Sequence, residues 1–167
     1  MFKHIDPKEI QENVFSAIAD RWMLITAGKE SVCNPMTASW GGLGVLWGKP
    51  VATIYIRPQR YTYGIVEETD AFALNFLPDG MREVLNLCGT KSGREIDKME
   101  ACALHALRAE CGAPYLEEAE LVLVCKKLYY QDLEPSHFLD EHIETHYAQK
   151  DYHRMYIGEI TEVLTKR

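Results

Sequence analysis

Residues 34–62 begin Asn34-Pro35-Met36-Thr37-Ala38-Ser39-Trp40-Gly41-Gly42. After a short gap they continue Lys49-Pro50-Val51-Ala52-Thr53-Ile54-Tyr55-Ile56-Arg57-Pro58-Gln59-Arg60-Tyr61-Thr62. The first half gathers hydroxyls, a tryptophan and two glycines, and so offers amides, hydroxyls and a flat ring to a planar ligand. In the second half, Val51–Ile56 is rich in β-branched residues and reads as a strand. It runs into Arg57 and Arg60, which flank a backbone-fixing proline. Guanidinium groups grip phosphate oxygens in pairs, and Thr62 adds a hydroxyl or a helix-start amide. The two halves together describe a site for a phosphorylated aromatic ligand.

Outward from this stretch, strands outnumber helices. Asp6, Pro7 and Glu9 signal the start of a helix whose apolar face is Ile10, Val14, Phe15 and Ile18. Trp22–Ala27 is a strand candidate. Pro35 argues against a central strand or helix at Asn34, so that part reads as a loop entering a strand. Thr62 caps a short helix through Thr69, and Ala71–Leu77 is a strand. Met81–Cys88 has helical spacing and Gly89–Gly93 is a loop. Ala and Leu favour a helix over Lys98–Cys111, ended by Gly112 and Pro114. Leu121–Tyr130 and Tyr152–Leu164 are long β-type runs, with a polar, His-rich Glu134–Lys150 between them. No regular alternation of strands and helices is present. The pattern predicts a single α+β domain over residues 1–167, mainly β with attached helices, built on an antiparallel sheet or barrel.

Bulk properties narrow the function. The chain has 167 residues, 47% of them hydrophobic and 26% charged, which suits one globular domain. A net charge of −7 argues against a nucleic-acid binder but leaves room for a local basic pocket. No window reaches the about 18 apolar residues of a membrane span. Met1–Pro7 lacks the apolar core of a signal peptide. Five scattered cysteines, without a Cys-x-x-Cys pair, fit reduced thiols in the cytoplasm.

Other constellations are weaker. Thr90-Lys91-Ser92-Gly93-Arg94 is a second phosphate-binding candidate, although it lacks the spacing of a nucleotide-triphosphate loop. Trp40 admits two readings, beside a bound ring or in the core. His142 and His146 are four apart with His137 nearby, but no further ligand has metal-site spacing, so no metal is expected. Ser39 lacks a nucleophile elbow and Cys88 a sequence-visible base.

Four blocks, in order, resemble the flavin reductase-like, FMN-binding split-barrel family, in particular its flavoredoxin-like branch. They are Asn34–Trp40, Arg57–Thr62, Cys88-Gly89-Thr90-Lys91-Ser92-Gly93-Arg94-Glu95-Ile96-Asp97-Lys98, and His153-Arg154-Met155-Tyr156-Ile157-Gly158-Glu159-Ile160. The resemblance implies a six-stranded, Greek-key-like split β-barrel and a homodimer, with FMN near the subunit interface. It implies that Asn34, Met36, Thr37, Ala38, Ser39 and Trp40 lie along the ring and ribityl chain. Arg57, Arg60, Tyr61 and Thr62 would serve the ribityl phosphate, and Gly89, Ser92, Gly93 and Lys98 would close over it. His153 would stand on the nicotinamide side, positioning the co-substrate. The chain departs from the family at Glu95, where Asp is usual, over Met99–Ala113, and over Glu134–Lys150.

The activity so implied is that of an NAD(P)H-dependent flavin reductase, with NADH or NADPH passing a hydride to the flavin. Positioning and cofactor tuning then suffice, which fits the absence of an acid–base or nucleophile constellation. The electrons would pass on to free flavin, oxygen or a protein. An alternative is a flavoredoxin-like FMN electron-transfer protein reduced by a protein partner. A third is a flavin- or haem-like ligand-binding module, since a fold does not fix chemistry.

Overall fold

The computed structural model describes residues 1–167. Its strands are β1 (Lys3–Ile5), β2 (Met23–Ala27), β3 (Asn34–Ala38), β4 (Gly41–Leu46) and β5 (Lys49–Ile56). They continue with β6 (Ala71–Phe76), β7 (Ala106–Arg108), β8 (Pro114–Leu116), β9 (Leu121–Asp132) and β10 (Arg154–Thr165). The helices are α1 (Val14–Ser16), α2 (Tyr61–Glu68), α3 (Arg82–Thr90) and α4 (Lys98–Ala101), with short 3-10 turns at Pro7–Glu9, Pro135–His137 and Glu141–His146.

Eight strands form one sheet in the order β3-β2-β6-β9-β10-β5-β4, with β1 on β10, and every pairing is antiparallel. β7 and β8 make a separate ribbon. The edge strands β3 and β4 do not pair, yet only Ser39 and Trp40 separate them in the chain. Three Cα steps hold Ala38 and Gly41 within about 11 Å. The sheet must therefore curl until its two edges meet at one corner, which makes an open, split barrel. Two register shifts between β9 and β10, at Ile157/Gly158 and Ile160/Glu162, sharpen that curl. At Gly158 a Cβ would come within 2.8 Å of both Cys125 Cβ and the Phe72 ring, so a side chain there would push into the barrel wall.

Strand alternation divides the core in two. Met23, Ile25 and Ala27 of β2 join Leu121, Leu123 and Cys125 of β9 inside the barrel, around Phe72, Phe76 and Tyr156. Leu24, Val122 and Val124 face outward and are covered by Leu85, Cys88, Leu104 and Leu116. Because both faces are covered, β2, β6 and the first half of β9 are apolar nearly throughout.

Four sequence expectations change. The opening helix is broken. Asp6 and Glu9 do form a capping box, but the chain extends at Ile10, and Asn13 caps a new short helix that widens into a π-turn over Ala17–Arg21. Phe15 consequently leaves the apolar face and is 85% exposed. Asn34–Ala38 is a strand, and Pro35 is tolerated there because β3 is an edge. The loop expected from Gly89 starts later, since α3 runs through Thr90. The helix expected over Lys98–Cys111 stops at Ala101. Ala103 takes φ +50°, and its amide and that of Leu104 return to the carbonyls of Glu100 and Met99. Pairing of β7 with β8 then overrides the helical propensity of the following residues. No helix is long and apolar enough to cross a membrane.

Candidate functional site

The corner where the sheet edges meet carries the predicted residues. Ile54 pairs with Gly41 and Ile56 with Arg154, so Tyr55 and Arg57 at the end of β5 lie next to Trp40 and His153. Three cavities run through this corner and share walls. A cavity of about 310 Å³ is lined by Arg60, Thr62, Thr90, Lys91, Ser92, Gly93 and Lys98, among others, with Glu95 as its one carboxylate against three cationic side chains. A narrow one of about 170 Å³ shares Met36 and Arg60 with it and is also lined by Thr37, Ala38, Ser39 and Arg57. The third, of about 730 Å³, shares Ser39, Trp40, Tyr55 and His153 with the narrow one and opens onto Val14, Phe15, Ile18, Leu43, Leu133 and Tyr147. The trough is thus cationic at one end, narrow and hydroxyl-lined in the middle, and wide and apolar at the other end.

The cationic end is built around Lys98, which is only 4% exposed. Asp97 caps α4 by accepting from the amides of Met99 and Glu100, and this fixes Lys98 in the first turn. Its Nζ donates to the carbonyls of Cys88 (2.8 Å) and Pro35 (3.1 Å), tying α3 to the edge strand β3. No carboxylate lies within ion-pair distance of it. Burial, reinforced by the charge of Arg60, pulls its ammonium below the ordinary lysine range. A buried cation without a counter-ion is costly unless an anion joins it. Arg60 Nη1 donates to the carbonyl of Gly89 at 3.2 Å and adds a second positive charge to the cavity.

Asn34 and Gly93 shape this end without spending charge. Asn34 is buried, and its Nδ2 donates to Thr62 Oγ1 at 2.8 Å, joining β3 to the first turn of α2. At Gly93 a Cβ would overlap Asn34 Oδ1 and the Tyr61 ring, so only glycine lets the Ser92–Arg94 loop lie this close. Ser92 Oγ accepts from the Arg94 amide at 3.2 Å, and the Arg94 guanidinium lies 5.3 Å from the Tyr61 ring centroid.

The middle and the wide end carry no charged side chain apart from Arg57 and the shared Arg60. Thr37 Oγ1 donates to the Leu85 carbonyl at 2.5 Å, so its hydroxyl anchors α3, and Gly89 packs against its Cβ at 3.3 Å from a would-be side chain. Trp40 is 44% exposed and lies 5.3 Å, centroid to centroid, from both His146 and His153, which places it at the site and outside the core. His153 is 7% exposed, and its Nδ1 is 2.8 Å from the Tyr147 hydroxyl. Burial, followed by the charge of Arg57, lowers its pKa from 6.5 to about 4, so the ring is neutral near pH 7.

Most of the predicted site residues line the trough, with one division among them, while Asn34 and Gly89 lie behind its lining and touch it through Thr62 and Arg60. Arg60, Tyr61, Thr62, Ser92, Gly93 and Lys98 line the cationic cavity, while Arg57 stands apart on the narrow one. Arg57 is held by Asp151 at 2.7 Å and by the His146 carbonyl at 2.9 Å. Sequence reasoning missed Tyr55, Tyr147, His146 and Asp151. Tyr55 was recoverable, because period-two alternation along β5 puts it on the same face as Arg57. Tyr147 and His146 belong to the His-rich segment and Asp151 directly follows it, and no local pattern there points to the site. His137, His142 and His146 do not assemble a metal centre, and no group of three or more potential ligands occurs in the chain.

Comparisons with known proteins bear on the fold that carries this site. A family model described as the flavin reductase like domain matches residues 15–167. An "Uncharacterized protein" of Aeropyrum pernix is 30% identical over 99 residues, 58% of this chain, and the match spans only 37% of that protein. The flavoredoxin of Methanosarcina acetivorans superposes with a TM-score of 0.70 at 23% identity, covering 98% of this chain and 77% of that one. An NADH:FAD oxidoreductase of Streptomyces globisporus C-1027, solved with NAD and FAD fragments, gives 0.63 at 18% identity, over 86% of this chain and 73% of that one. These structural likenesses show a shared fold, and the match over residues 15–167 shows that this chain belongs to the flavin reductase-like family.

Proposed function

We propose that the protein is an FMN-binding oxidoreductase that draws electrons from NADH or NADPH. The observation that carries the proposal is the order of the three cavities. A cationic end, a narrow hydroxyl-lined neck and a wide apolar chamber follow the order phosphate, ribityl chain and isoalloxazine along FMN. The residues present fit the group: Lys98 is a buried cation lacking an anion, and Arg60 adds a second positive charge to the same cavity. When bound, FMN would supply the redox chemistry.

The chain's own residues bind, orient and exclude water. Lys98 and Arg60 hold the phosphate, with Ser92, Gly93 and Thr62 shaping its cradle. Met36 to Ser39 run beside the neck. Trp40, Tyr55 and neutral His153 border the wide chamber, where an uncharged His positions a nicotinamide without competing for protons. The same reading takes the protein to be a homodimer. In support, β4 is a sheet edge with its outer side unpaired, and Val45 on it and Trp47 just beyond it are exposed. Five free cysteines fit a reducing compartment such as the cytoplasm.

The flavoredoxin likeness favours a second reading, in which a protein partner supplies the electrons. Anaerobic mixing of the FMN-loaded protein with NADH and with NADPH separates the two. Bleaching of the flavin absorbance within seconds supports the reductase. Failure of both nucleotides to bleach it, with bleaching by a reduced electron carrier, establishes the second reading instead.

A further inference from the structure

We propose that Arg57 and Asp151 form a latch that fixes residues 133–153 as a wall of the wide chamber. Arg57 is then a positioning residue that sets access to the ring end, and not a phosphate holder. Its ligand readouts rest on the FMN reading above, whereas its structural readout does not.

Backbone pairing does little to hold the segment between β9 and β10, although its buried Tyr147 packs on Phe138 and Tyr152 and its His146 meets the Trp40 ring. The segment contains two short 3-10 turns and no strand. At its root the Leu133 amide donates to the His153 carbonyl, and the Tyr147 hydroxyl meets His153 Nδ1. Beyond that root, all side-chain hydrogen bonds reaching it from the body of the protein come from Arg57 and Gln59. Arg57 Nη1 meets Asp151 Oδ2 at 2.7 Å, its Nη2 donates to the His146 carbonyl at 2.9 Å, and its guanidinium lies 5.0 Å from the Tyr147 ring centroid. Gln59 Nε2 donates to the same Asp151 oxygen at 2.5 Å.

Both partners of the ion pair are mostly buried, with side chains 22% and 18% exposed. Solvent and salt screen such a pair far less than a surface one. Arg57 thus commits both terminal nitrogens to the strap and lines the neck instead of the cationic cavity. Turning it to the phosphate would break the latch. The strap in turn contributes Leu133 and Tyr147 to the chamber, beside His153. With the latch closed, the chamber admits a ring-sized second substrate against the cofactor. A loosened strap leaves that face unbounded.

Hydrogen–deuterium exchange on Arg57→Gln and Asp151→Asn tests the latch, together with FMN and riboflavin titrations. Amides of residues 134–150 are expected to exchange at least tenfold faster in both variants, with β9 and β10 unchanged. The ratio of FMN to riboflavin dissociation constants is expected to stay within twofold of the parent value. The double swap Arg57→Asp/Asp151→Arg is expected to restore slow exchange. Unchanged exchange in both single variants overturns the latch. A selective loss of FMN affinity of tenfold or more in Arg57→Gln, with riboflavin unaffected, assigns Arg57 to the phosphate and overturns the positioning role. If the parent protein binds no FMN, the cofactor reading fails while the exchange measurement still decides the latch.

Discussion

The ammonium of Lys98 lies 2.8 Å from the carbonyl oxygen of Cys88, in the interior of a protein that supplies it no carboxylate. Carbonyl dipoles solvate a cation only in part, so the ligand-free protein carries a desolvation penalty at this point. Lys98→Met removes the charge while keeping most of the side-chain volume. The two carbonyls then lose a donor, which costs about 1–3 kcal/mol and opposes the gain. Ligand-free Lys98→Met is therefore expected to melt within a few degrees of the parent, as measured by calorimetry. A collapse of more than about 15 °C would show that the lysine is chiefly structural.

Gly93 has no room for a side chain between Asn34 and Tyr61. Gly93→Ala is expected to cost about 1–3 kcal/mol of stability as the loop is pushed outward. FMN affinity should fall at least tenfold, because the loop that closes on the phosphate moves with it. Titration of FMN into the variant checks this, and parent-like affinity would remove Gly93 from the cradle.

His153 gives stability a pH dependence whose sign follows from its lowered pKa. Unfolded, the ring takes up a proton below about 6.5, whereas folded it resists until about 4. The unfolded state binds more protons between those values, so stability is full above pH 6.5 and falls as pH drops toward 4. Melting temperatures measured from pH 7.5 to 4 should show this decline, and His153→Asn should flatten it. An equally steep decline in the variant would assign the dependence to other groups.

Thr62→Val tests the tie between the edge strand and α2. It leaves Asn34 Nδ2 without its buried acceptor, a loss of about 1–3 kcal/mol. Urea denaturation should register that loss, and FMN binding should weaken with it, since Asn34 and Thr62 together set the floor of the cationic end.

Much of the fold was legible because its signals are local. Val51–Ile56 and Leu121–Tyr130 announce strands through β-branched runs, and both are strands here. The α+β class and the four ordered blocks likewise led to the observed architecture. The misreadings came where distant partners decide. Pro35 looked like a loop residue because an edge position is invisible until the sheet is assembled. Ala106–Arg108 looked helical until paired with Pro114–Leu116. In the site, Lys98 and Gly93 stood out within a single block. Asp151 meets Arg57 across 94 residues of chain, and no spacing rule connects them. The eight strands of the main sheet, against the six that the resemblance implies, reflect short additions such as β1 on β10.

The central claim is that the cationic end of the trough holds the phosphate of FMN. Isothermal titration of the parent and of Lys98→Met with FMN and with riboflavin, at low and high salt, tests it most directly. The parent is expected to bind FMN at least tenfold more tightly than riboflavin, and Lys98→Met is expected to lose most of that preference while binding riboflavin as before. Equal affinity of the parent for FMN and riboflavin, or a preference untouched by Lys98→Met, would contradict the account.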